Sequence, residues 1–293
     1  MSKETSRREF LSVSGAALAA ASLGTFEMQA QERRVFAYVG RRARGAFGGP
    51  AAAAPAGGAP PAARGAAAAP AAAAGGGGGR GPALPTGGGV TVFRVNMSDG
   101  SLTEVSKTGP EVDDLNCDGM CTSADGRLLY AVNQTKDLGG TLGAGGGVAA
   151  FAINREDGSL KHLNSLPSMG SNPVGVTIDK TNARVLVANH GAVQYIPAIV
   201  KRNGVPVVEI LTDEATVAMY PVRADGSLEA ACDVSVFARR PPTEAGRAAA
   251  AHQVVFDRTQ RWAIASDNGY DHLYVYPFTL GSRRLDGKSY PTP

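Results

Sequence analysis

Two turn motifs alternate along the chain, and their alternation constrains the fold more than any other feature. The first is a short apolar strand running into Asp-Gly-Ser-Leu. It joins Val92-Phe93-Arg94-Val95 to Asp99-Gly100-Ser101-Leu102. It returns between Ala150-Phe151-Ala152-Ile153 and Asp157-Gly158-Ser159-Leu160, and between Met219-Tyr220-Pro221-Val222 and Asp225-Gly226-Ser227-Leu228. A degraded copy joins Val275-Tyr276-Pro277-Phe278 to Gly281. Asp-Gly between alternating strands predicts a hairpin, because both residues tolerate the positive φ of a tight turn. The second motif is a hairpin turning near an Asp. Its copies run from Met120 through Asp125-Gly126-Arg127 to Leu128–Asn133, from Val174 through Asp179 to Val185–Asn189, and from His252 through Asp257 to Trp262–Asp267. The two motifs together give four strands per unit, with units recurring at about 55 to 70 residues. Serial four-stranded units predict an all-β chain, a β-propeller of four-stranded blades. A sandwich also has many short strands but would not repeat both turns in order.

Composition matters where the repeat stops. Residues 48–89 are nearly all Ala, Gly and Pro, with Arg64 and Arg80 the only charges. With no large side chains to bury, this stretch is expected to be a disordered or polyproline-like loop. Strand-like runs flank it at Val35–Gly40 and Val90–Val95, so it reads as an insertion between neighbouring strands. At the N-terminus, Ser6-Arg7-Arg8-Glu9-Phe10-Leu11 resembles a twin-arginine export motif. The Leu11–Gly24 stretch behind it is too short and weakly apolar for a stable membrane span, and Ala30 offers a cleavage point. The expected organisation is a signal over 1–30, a first propeller strand within 31–47, the insertion over 48–89 and blades over 90–293. Export machinery is then a partner, and the periplasm or the exterior the destination.

Net charge is +3 and charged residues are 19%, with no basic stripe interleaved with aromatics, so nucleic acid is not an expected partner. The arginines near Arg33, Arg34, Arg41, Arg42 and Arg44 read as solvated loop charge. Three cysteines, Cys117, Cys121 and Cys232, make no disulfide framework and lack zinc-site spacing. They are expected as small buried residues, with a Cys117–Cys121 bridge as the alternative. No Gly-x-Ser-x-Gly elbow, His-Glu-x-x-His helix or Lys-bearing phosphate loop occurs, so no cofactor or metal is expected.

Several pieces in order carry a resemblance. They are Tyr38-Val39-Gly40, Asp125-Gly126-Arg127 through Asn133, Asn172-Pro173, Val187-Ala188-Asn189, His252 before Val254-Val255-Phe256-Asp257, and Asp267-Asn268-Gly269-Tyr270-Asp271. This phrasing is similar to the lactonase family of seven-bladed β-propellers, which includes bacterial 6-phosphogluconolactonases and fungal carboxy-muconate cyclases. The resemblance implies a seven-bladed propeller, of which this chain holds about three to four blades. A truncated chain or partial gene model is therefore expected. The family's further active-site residues, including Arg and Glu from later blades, would fall beyond Pro293.

The motif order places chemistry at one end of the strands. Counting back from the turn at Asp257 sets His252 opposite about Ala265, in diagonal reach of Asp267. Asn189, His190 and Asp271 fall at the same rim. Opening a lactone needs a water activated for attack on a carbonyl and donors for the oxyanion. His252 is the candidate base, because imidazole titrates near neutral pH. Asp267 or Asp271 would orient it, and Asn189, His190 and Asp271 would contact substrate. Each also has a structural alternative: a His can tie strands together, and an Asp can cap a turn. No Arg or Lys cluster is evident at the rim to hold a phosphate. The expectation is an exported hydrolase acting on a sugar lactone or other cyclic ester. A non-catalytic propeller binding a ligand or protein, and a cyclase or isomerase on the same scaffold, are the rival readings.

Overall fold

The computed structural model describes residues 34–43, 86–191, 195–237 and 248–291. The expected export signal and nearly all of the 48–89 segment lie outside them. The described residues form three four-stranded antiparallel sheets, one three-stranded sheet and a separate hairpin. The first sheet is β1 (Val35–Arg41), β2 (Gly89–Val95) and β3 (Leu102–Lys107). The second is β4 (Cys117–Thr122), β5 (Leu128–Asn133), β6 (Gly147–Ile153) and β7 (Leu160–Pro167), a simple meander. The third is β8 (Pro173–Ile178), β9 (Arg184–Asn189), β12 (Thr216–Pro221) and β13 (Asp233–Val236). Between β9 and β12 the chain makes the extra hairpin of β10 (Tyr195–Arg202) and β11 (Val205–Thr212). The fourth sheet is β14 (Ala251–Phe256), β15 (Trp262–Asp267), β16 (His272–Pro277) and β17 (Lys288–Pro291). The blades expected from the repeat are therefore present in order. β1 pairs with β2 across the inserted segment, and Gly89, placed inside that segment by sequence, is already the first residue of β2.

The sheets pack face to face because their middle strands are apolar on both sides. In β9, Val185 and Val187 face one neighbouring sheet, packing with Tyr130, Val132 and Tyr220. Leu186 and Ala188, one residue out of phase, face the other, with Met219, Phe237 and Tyr276. This period-2 division is what a strand buried between two blades requires. Tyrosines add directional ties from blade to blade. The Tyr38 hydroxyl donates to the Gly158 carbonyl at 3.2 Å, and the Tyr130 hydroxyl to the Gly226 carbonyl at 2.9 Å. Those glycines sit in successive Asp-Gly-Ser turns, at φ 78° and 89°.

Turn chemistry explains both motifs. Asp99, Asp157 and Asp225 each accept the backbone N–H two residues on, from Ser101, Ser159 and Ser227. In the second motif Asp179 accepts from the N–H of Ala183 and Arg184, and Asp257 from Arg261 and Trp262. In the β4–β5 turn that task falls to Ser123 Oγ, which takes the N–H of Arg127 and Leu128. The counterpart of Asp179 and Asp257 is thus Ser123 rather than Asp125.

Candidate functional site

The turns inside each hairpin motif lie at one end of the strands. The β5–β6, β9–β12 and β15–β16 connections and the crossings between blades lie at the other. The sequence-predicted residues belong to this second end. Their placement depends on a β-bulge that recurs in the first strand of each complete blade. In β4 the register shifts between Cys117 and Met120, in β8 between Pro173 and Gly175, and in β14 between Ala251 and Gln253. A bulge leaves one residue unpaired and re-aims its side chain. Val174 and His252 occupy it in their blades, and in β4 Asp118, which with Gly119 spans the shift, holds the corresponding place. The next residue meets the following blade. A Cβ on Gly119 would lie 2.3 Å from the Val174 carbonyl oxygen, and one on Gly175 would lie 3.2 Å from that of His252.

The bulge corrects the expected register. The first Cα pair after the Asp257 turn is Phe256 with Ala263, so Val254, not His252, lies opposite Ala265. His252 sits unpaired, between the pairs Ala251–Asp267 and Gln253–Ser266, and is exposed. Its aromatic neighbour is His190 of the preceding blade, with ring centroids 6.2 Å apart and planes at 74°.

His190 is the better-held of the two. Its backbone N–H donates to the Asn172 carbonyl, and that of Gly191 to Ser171. Its Nδ1 lies 3.0 Å from the Gly191 carbonyl oxygen. A carbonyl only accepts, so Nδ1 carries the proton in this contact, which leaves Nε2 as the nitrogen open to a further partner. Gly191 allows this with φ of 62°, and a Cβ there would lie 2.5 Å from the Glu214 carbonyl oxygen.

Asp267 and Asn189 have structural tasks. Asp267 is 3% exposed. Its Oδ1 accepts from the backbone N–H of Ala250 at 2.9 Å, Gly269 at 3.0 Å and Tyr270 at 3.2 Å. Asn133 holds the same position in its blade, and its Oδ1 takes the N–H of Asn116 in the same way. Both side chains tie the incoming chain to the end of the second strand, which is why an Asx residue ends these strands. Asn189 is 0% exposed, and its Nδ2 donates to the Ser168 carbonyl and Thr216 Oγ1. Asp271 stays at the rim, exposed in the β15–β16 turn with φ of 57°.

Of the arginines read as solvated loop charge, Arg33 and Arg44 lie outside the described residues, and the other three are engaged. Arg34 donates to the Glu156 carbonyl, Arg41 lies within 3.5 Å of Thr108, and Arg42 Nη2 lies 3.2 Å from Asp118 Oδ1. Arg42 and Asp118 belong to the rim and were missed by motif reading. Strand alignment finds them, since the register places Arg41 opposite Gly89 just as Asn189 lies opposite Thr216. The cysteines are all free, with no Cys117–Cys121 bridge. A cleft of about 640 Å³ lies at the other end of the strands, lined by Asp125, Arg127, Asn182 and Arg223 among others. It shares no residue with the histidine pair. Among the described residues no helix is long and apolar enough to cross a membrane.

Residues 81–291 match the family described as lactonase, 7-bladed β-propeller. The 6-phosphogluconolactonase of Bacillus subtilis is 26% identical over 162 residues, which is 55% of this chain and 38% of that protein. That of Formosa agariphila is 32% identical over 105 residues, 36% of this chain and 27% of that one. Among solved structures, the periplasmic gluconolactonase PpgL of Pseudomonas aeruginosa superposes with a TM-score of 0.52 at 21% identity, covering 71% of this chain and 52% of that one. The chain spans about half the length of this structure and less of the two curated relatives.

Proposed function

The chain belongs to the lactonase family of seven-bladed β-propellers, and from that premise we propose that it acts as an exported lactonase-like hydrolase. It opens a sugar lactone or other cyclic ester by water attack at the rim of the blades. The observation that carries this reading is the meeting of His190 and His252 from adjacent blades, 6.2 Å apart. His190 Nε2 accepts the proton of the attacking water, and the Gly191 carbonyl steadies the imidazolium through Nδ1–H. His252, exposed at the bulge, donates a hydrogen bond to the developing oxyanion, and the proton taken up by His190 then passes to the leaving alkoxide. Asp271 offers a carboxylate for a substrate hydroxyl beside the pair. The names of the relatives, two 6-phosphogluconolactonases and a periplasmic gluconolactonase, support the reaction class.

The Ser6–Leu11 motif supports twin-arginine export, with 1–30 removed and the 48–89 segment, less the Gly89 that opens β2, inserted between β1 and β2. Replacing Arg7 and Arg8 by Lys should hold the precursor inside the cell. The function is tested by titrating acid release from glucono-δ-lactone at constant pH. Wild type should open it, and His190→Ala or His252→Ala should each lower kcat by about 10²–10⁴-fold with an unchanged melting curve. Absence of opening, or turnover indifferent to both changes, overturns the reading. Binding without turnover would favour a ligand-binding propeller.

A further inference from the structure

The histidine pair is one copy of a junction that the fold repeats. Arg41, Asn133 and Asn189 lie opposite Gly89, Gly147 and Thr216 at the ends of their strand pairs. Arg42, Gln134 and His190 are therefore equivalent, each being the next residue after its strand. Asp118, Val174 and His252 are equivalent as the bulged residues of the following sheets. Three junctions follow at one rim: Arg42 with Asp118, Gln134 with Val174, and His190 with His252. Direct contact confirms the outer two, a 3.2 Å ion pair and the imidazole pair. Whatever opening His252 faces, Asp118 faces too.

We propose that the Arg42–Asp118 junction is a specificity element of that opening, taking the hydroxyl groups of an unphosphorylated sugar lactone and turning away a phosphorylated one. This rests on the lactonase reading above and names its substrate class. Asp118 is an acceptor only, and its side chain is 29% exposed. Arg42 is 68% exposed, and Asp118 occupies one of its nitrogens, leaving other donors toward solvent. An acceptor beside a donor is the pairing a sugar hydroxyl needs, since it can give to one and take from the other. A phosphate dianion finds the opposite. The cation that would hold it is already paired, and the pairing carboxylate repels it from well within a Debye length. A Ser or Asn at position 118 would leave Arg42 free for a phosphate. The sequence places an acid there instead.

The test compares kcat/KM on glucono-δ-lactone and its 6-phosphate for wild type, Asp118→Asn and Arg42→Gln. Wild type should favour the neutral lactone. Asp118→Asn frees the guanidinium and should shift the ratio toward the phosphorylated lactone by about tenfold at low salt, and by less at high salt. Arg42→Gln should weaken both without that shift. Unchanged melting of Asp118→Asn shows that the fold is intact. A wild-type preference for the phosphorylated lactone overturns the proposal. So does an unmoved ratio in Asp118→Asn while His252→Ala still abolishes turnover, which leaves the lactonase reading standing. If neither lactone turns over, the lactonase reading fails by itself. Calorimetry with gluconolactam and its 6-phosphate then decides the junction, since the neutral lactam must bind wild type more tightly and the Asp118→Asn variant must lose that preference.

Discussion

Replacing Asp267 separates its cap from the orienting role that its motif suggested. Oδ1 accepts three backbone N–H groups, from Ala250, Gly269 and Tyr270, and the side chain is 3% exposed. Asp267→Ala removes the acceptor shared by all three. The Gly269 and Tyr270 segment is half-buried and can turn to water, whereas Ala250 is buried and its N–H loses the Asp267 acceptor. An orphaned buried donor costs about 1–3 kcal/mol, and the two weaker losses bring the expected destabilisation to about 2–4 kcal/mol. Asp267→Asn keeps Oδ1 and should cost less than about 1 kcal/mol, because the amide oxygen still accepts. Urea titration followed by the fluorescence of Trp262, the single tryptophan, reads the same strand. Lactone turnover is measured on the same samples. The reasoning fails if Asp267→Ala melts within about 0.5 kcal/mol of wild type. It also fails if Asp267→Asn keeps its stability yet loses activity as His252→Ala does, which would restore Asp267 to the chemistry.

Other expectations follow from single contacts. Tyr130→Phe leaves the Gly226 carbonyl without its donor and should cost about 0.5–1.5 kcal/mol in urea titration; a loss under about 0.3 kcal/mol would deny the tie between blades. The Thr259 hydroxyl, with backbone N–H groups, holds the Asp257 carboxyl at about 2, below the usual carboxylate value. A lowered folded value stabilises above the unfolded pKa near 4 and is lost as pH falls toward 2, so Asp257→Asn should flatten that part of the acid limb of stability, and an unchanged limb refutes it. Burial pushes the Cys117 and Cys121 thiols up to about 12, so neither should react with a disulfide reagent at pH 8 until the chain unfolds. Rapid labelling of either in the native protein would contradict their burial.

The blades were legible because their signals are local. An Asp-Gly-Ser turn is set by φ at one glycine and by one side chain reaching two residues on, both readable from four letters. A strand buried on both faces shows itself as a run such as Val185–Ala188. The site was legible only in part. Motif order singled out His252 and His190, and the fold brings them together. It also singled out Asp267 and Asn189, where the fold engages Asp267 Oδ1 with backbone N–H groups and Asn189 Nδ2 with a carbonyl and a threonine hydroxyl. A residue type at a strand end does not say whether its side chain turns outward or closes the next crossing.

The sequence by itself determined the all-β class, the four-stranded unit and the end of the strands at which His190 and His252 fall, because periodicity and turn chemistry act over a few residues. Only the tertiary structure decided which side chains meet there. One unpaired residue in each first strand re-aims Asp118 and His252, and contact between separate sheets then gives each its partner. A bulge leaves no trace in a hydrophobic pattern, and a junction joining residues 42 and 118, or 190 and 252, exists only once the blades are packed.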